Sequence, residues 1–78
     1  MEFYERMKQV RKFNDDSQKE IAAVLKITPQ QYSLYETGIR YMPIDLLITF
    51  CKHYKVSADY ILGLPEGLNW MYFNNSTK

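Results

Sequence analysis

Residues Ser17 to Gly38 read SQKEIAAVLKITPQQYSLYETG, and this stretch decides the fold. Ile21, Ala22 and Leu25 stand at i, i+1 and i+4, one apolar stripe at helical spacing. Tyr32 and Tyr35, three apart, mark the inner side of a second helix. Ser17, followed three residues later by Glu20, forms a capping box in which each side chain satisfies the other's backbone N–H. Thr28 followed by Pro29 is a second start signal, an N-cap residue and then proline at the first helical position. The two starts lie only eleven residues apart. One continuous helix is excluded, because Pro29 in its interior would cost about 3 kcal/mol. The stretch is therefore two short helices joined by Lys26-Ile27-Thr28, with Ile27 available to plug the corner.

That layout is a helix-turn-helix, whose second helix enters the major groove of DNA. Phe3, Met7 and Val10 at i, i+4 and i+7 predict a preceding helix over about residues 2–13. The polar, turn-prone Asn14-Asp15-Asp16 follows it. Gly38 ends the third helix, as glycine at a helix C-terminus commonly does. Pro43, read as a first-turn proline, opens a fourth helix that runs to about Lys55 and carries Leu47, Phe50, Cys51 and Tyr54 on one stripe. Val56 turns the chain, Ser57 caps a fifth helix over Ala58 to Leu62, and Gly63 stops it. The expected fold is all-α: a compact five-helix domain over residues 1–64, with a short aromatic extension over 65–78. In that extension Leu68, Trp70, Met71, Tyr72 and Phe73 are too apolar for a free tail. Either they fold back to lengthen the core, or they form a protein interface, where such residues are enriched.

Seventy-eight residues suffice for one domain, and 46% apolar residues with twelve aromatics suffice for its core. The single cysteine permits no internal disulfide, which suits a reducing cytoplasm, and Cys51 falls on an apolar stripe as a buried structural thiol. The first twelve residues are charged throughout, unlike a signal peptide, and no apolar run approaches the roughly 20 residues of a membrane span. A soluble, cytoplasmic protein is expected. The net charge of +1 is low for a nucleic-acid binder, but seven basic residues face four acidic ones between Arg6 and Arg40, the half that holds the motif. One histidine, His53, read as a surface or rim residue, and one cysteine form no metal-ligand cluster. No glycine-rich loop could hold nucleotide phosphates. Catalysis, a metal and a cofactor are accordingly not expected.

With these marks in place, the chain resembles the lambda-repressor-like, Cro/repressor (Xre) type of helix-turn-helix regulators over roughly residues 7–64. Arg11, SQKEIAAVL, YSLYETG and VSADYILGL carry the resemblance. It puts Ala22 where the two motif helices touch, and Ile21, Leu25, Ile27, Tyr32 and Tyr35 in core slots. Two positions depart from the family pattern. Lys26 stands where the turn usually has glycine, so it should adopt a left-handed backbone at a cost of about 1–2 kcal/mol. Asp16 stands where an apolar residue often packs beneath the second helix, a space Phe13 is expected to fill.

A recognition helix starting at Pro29 points Gln30, Gln31, Ser33, Leu34 and Thr37 away from Tyr32 and Tyr35. On an ordinary helix such residues simply face solvent; here they become the base-reading candidates. Glutamine can pair bidentately with adenine and leucine can touch a thymine methyl, so Gln30 and Gln31 lead and Ser33 and Leu34 follow. Gln18 opens a helix whose N-terminus favours anions, and the resemblance assigns it a DNA phosphate. By the same resemblance Arg40 and Tyr41 adjoin neighbouring phosphates, and Lys19 and Thr28 are further candidates. Arg11 and Glu36 fill slots that the family uses for a structural ion pair. The partners implied are double-stranded DNA and a second copy of the chain, with half-sites about 10 base pairs apart, the dimer using helix five and the aromatic extension. A sequence-specific regulator, most simply a repressor, is the leading expectation. The alternative is a protein-interaction module on the same scaffold, such as an antitoxin that holds its toxin through the aromatic extension.

Overall fold

The computed structural model describes residues 1–65, which form five α-helices and no strand. They are α1 (Phe3–Phe13), α2 (Gln18–Leu25), α3 (Pro29–Glu36), α4 (Ile44–Tyr54) and α5 (Ala58–Leu62). The aromatic cluster Leu68, Trp70, Met71, Tyr72 and Phe73 lies outside the described residues.

Each helix turns its apolar stripe to one shared core. Met7 and Val10 enter it from α1, Ile21, Ala22 and Leu25 from α2, and Tyr32 from α3. Leu47, Phe50 and Cys51 come from α4, and Ile61 from α5. Full burial of one such large side chain stabilises by about 1.5–3 kcal/mol, so a core of this size can hold a small domain together. Half-buried Phe3, Ile27, Tyr35, Met42 and Tyr54 close its edges. The most extensive helix contact is α2 on α3, while α1 braces α3 and α5 and α4 underlies α2.

The helix ends follow local rules. Ser17 and Glu20 form the reciprocal cap of α2, with both bonds at 3.0 Å. Three of the helices end in the same way, with a left-handed residue just past the last turn: Lys26 (φ 60°, ψ 40°), Lys55 (φ 57°, ψ 45°) and Gly63 (φ 74°, ψ 24°). After each, the next residue's N–H reaches back to a carbonyl of the preceding turn, as Ile27 does to Ala22 at 3.0 Å. Lys26 therefore takes the backbone expected of it. Gly38 (φ 80°) holds a left-handed backbone that favours glycine, and a Cβ there would fall 2.5 Å from the Tyr4 ring, which would have to move aside.

Two expectations are corrected. Pro43 stands one residue ahead of α4, at its N-cap with extended ψ, rather than inside the first turn. Phe13 does not pack beneath α2. It is 88% exposed, because the last turn of α1 points it towards Tyr54, Val56 and Tyr60 on the α4–α5 side. The place expected for it holds a polar contact instead, in which the Tyr54 hydroxyl donates to Asp16 Oδ2 at 2.9 Å.

Candidate nucleic-acid interface

The orientation of α3 is set by its inner face. Tyr32 is fully buried and Glu36 is 4% exposed. Glu36 faces Arg11, which is 8% exposed, in a two-pronged pair: Arg11 Nε donates to Oε2 and Nη2 to Oε1, both at 2.8 Å. The third guanidinium nitrogen, Nη1, donates to the Asp16 carbonyl at 2.7 Å, so one planar side chain ties α1, the α1–α2 loop and the end of α3. Burial alone would raise the Glu36 carboxyl. Arg11 first, and then Tyr32 and Gln18, outweigh that and hold it below its ordinary value. Hydrogen bonding to Glu36 raises Arg11 in turn, against the effect of burial. The Tyr32 hydroxyl faces this carboxylate without completing a hydrogen bond, and burial followed by the nearby negative charge pushes it well up.

The opposite face of α3 is open. Gln30, Gln31 and Thr37 are exposed, and Ser33 and Leu34 are half-buried. Thr28 caps the helix: its Oγ1 accepts from the Gln31 N–H at 3.1 Å, and Gln31 Oε1 accepts from the Thr28 N–H at 2.9 Å. The acceptor end of Gln31 is thus engaged, whereas Gln30, one residue earlier on the same turn, has no such tie. The Thr37 hydroxyl folds back to the carbonyls of Ser33 (2.9 Å) and Leu34 (3.2 Å).

Around this face, Lys19 is exposed at the start of α2, and Arg40 and Tyr41 are exposed beyond the end of α3. The Tyr41 ring meets Phe3 edge-on at 5.3 Å, which fixes the loop onto α1. Gln18 is half-buried, and its Nε2 donates to Glu36 Oε1 at 3.2 Å, which draws its amide into the Arg11 network. His53 is exposed, with Nε2 3.8 Å from Asp16 Oδ2. Reading the sequence missed the polar ties of Asp16 and Gln18, which join distant parts of the chain and leave no local mark. It also missed the engagement of Gln31, although Thr28-x-x-Gln31 has the spacing of a capping box and was a sufficient signal.

Two short helices at a fixed crossing, the second with its inner face locked and its amide-bearing first turn exposed, define a helix-turn-helix domain. The helix-turn-helix family model matches residues 7–61, and the chain belongs to that family, in its Xre, lambda-repressor-like branch. Among curated proteins it is similar to an uncharacterized HTH-type transcriptional regulator, YobD of Bacillus subtilis (strain 168), with 33% identity over 64 residues. The match covers 82% of this chain and 57% of that relative, so the chain spans a little over half the length of the curated protein it resembles. No solved structure matches it significantly.

Proposed function

We propose that the protein is a sequence-specific DNA-binding transcriptional regulator that inserts α3 into the major groove and acts as a repressor by occupying its operator. One observation carries the reading. The first turn of α3 presents Gln30 and Gln31 to solvent while Tyr32, Glu36 and Arg11 hold its other side rigid. A reading helix needs both features, since a bidentate contact to a base edge is productive only when the backbone behind it does not move.

Gln30 is the principal reader, its amide suited to the N6 and N7 of adenine. Gln31 reads second, because a bidentate contact from it would require release of the Thr28 N–H. Ser33 and Leu34 supply margin contacts, and Thr37 lies at the far end of the helix. Lys19, Arg40, Tyr41, Thr28 and the N-terminal turn of α2 at Gln18 neutralise or hydrogen-bond the flanking phosphates. Two copies occupy a palindrome, one α3 per half-site. Selection from a random duplex library is the test. Enrichment of a palindrome with half-sites about 10 base pairs apart is the expected result, and recovery of no common sequence overturns the reading. Sedimentation that finds one copy both free and on the selected duplex overturns the pairing.

A further inference from the structure

A groove of about 470 Å³ opens between the C-terminal half of α1 and the corner where α4 passes into α5. Val10 and Phe13 line it from α1, and Tyr54, Val56 and Tyr60 from the other side. No charged side chain lines it; Gln9 and Asn14 supply its polar border. The unusual element is Phe13, a residue 88% exposed at the groove although it belongs to an ordered helix. An aromatic ring left in water beside an open apolar groove is poised to be covered.

We propose that the occupant is the chain's own C-terminal segment, which lays Trp70, Met71, Tyr72 and Phe73 against Phe13, Tyr54 and Tyr60. Chemistry, position and reach argue for it. From Gly67 to Thr77 the segment carries no charge, and it concentrates Leu68, Trp70, Met71, Tyr72 and Phe73, an apolar match to an uncharged groove. The described chain ends at Pro65, five residues after the groove residue Tyr60 and just past the left-handed turn at Gly63. Leu68 to Phe73 lie three to eight residues beyond Pro65, a span of roughly 10–27 Å, against about 7.5 Å for the whole of α5. So short a tether gives an effective concentration of order millimolar, which favours the chain's own segment over that of a second copy. Of the two roles open to the aromatic cluster, extension of its own core is the one this surface fits. None of the lining residues belongs to α2 or α3, so the docked segment leaves Gln30 and Gln31 open, and the inference stands independently of the DNA-binding reading.

Trp70 is the only tryptophan and reports on the proposal directly. In the full chain its fluorescence should be blue-shifted and quenched by acrylamide roughly fivefold less than in a peptide of residues 66–78, with no dependence on protein concentration. Phe13→Ala removes a ring that the core does not use. With helix content unchanged by circular dichroism, it should return the quenching most of the way to that of the peptide. Quenching equal to the peptide's in the parent chain overturns the proposal. So does protection that grows with concentration, which would signal a second copy, and so does full protection retained in a folded Phe13→Ala variant.

Discussion

At Arg11 a single guanidinium holds α1, the Asp16 carbonyl and Glu36 together, and both charged partners are almost wholly buried. Arg11→Ala would strand the Glu36 carboxylate without its main donor, and thermal or urea unfolding should show a loss of about 3–5 kcal/mol. Glu36 also sets an acid limit. Its folded pKa lies below the ordinary value of 4.5, so its stabilisation is complete above that value. The contribution declines as pH falls from there towards the lower folded value and is gone beneath it. A series of melting temperatures from pH 7 to pH 3 should therefore drop on the acid side. Glu36→Gln should melt lower at pH 7 and show a flatter acid limb; an unchanged limb would place the acid sensitivity elsewhere. At Lys26 the cost is in the backbone. Lys26→Gly relieves a left-handed strain of about 1–2 kcal/mol but adds about 0.5–1 kcal/mol of unfolded-chain entropy. The net gain of about 0.5–1 kcal/mol should raise the melting temperature by several degrees in a domain of this size. An unchanged or lower melting temperature would refute it.

Among the elements, α3 divides its tasks between neighbouring residues. Gln31 completes the cap with Thr28, and Gln30 on the same turn is unencumbered. The two alanine variants should separate accordingly. Gln30→Ala should leave the melting temperature alone and cost about 1–3 kcal/mol of discrimination at one base position of the selected site. Gln31→Ala should lower the melting temperature through loss of half the capping box, with the smaller change in base preference. Site selection and thermal denaturation on the same two proteins distinguish the roles; a reversed pattern would make Gln31 the principal reader. The positions of α1 to α5 were legible before any tertiary information, because the starts of α2 to α5 carry Ser, Thr or Pro and α1, which starts without one, keeps the helical period of Phe3, Met7 and Val10. Phe13 was not. It continues the register of α1 by one more turn, and nothing local tells whether α2 or the α4–α5 corner lies opposite.

For the molecule as a whole, the proposed DNA binding at a net charge of +1 would depend on where the cations sit rather than on their number. With Lys19 and Arg40 as the cations proposed to neutralise phosphates, log affinity should fall with log salt at a slope of about −2 per copy between roughly 50 and 200 mM. Titrations at three salt concentrations measure it, and a slope near zero would remove the phosphate contacts assigned to Lys19 and Arg40. No helix of the described residues is long and apolar enough to cross a membrane. The sequence by itself determined the helices, the reciprocal cap of Ser17 and Glu20, the turn at Lys26 and the outward placement of the glutamines, since these depend on contacts within about four residues. Only the tertiary structure decided that Gln18 turns to Glu36, that Tyr54 answers Asp16 and that Phe13 borders an open groove. Those outcomes depend on which surfaces meet when the helices pack, and residues far apart in the chain meet only there.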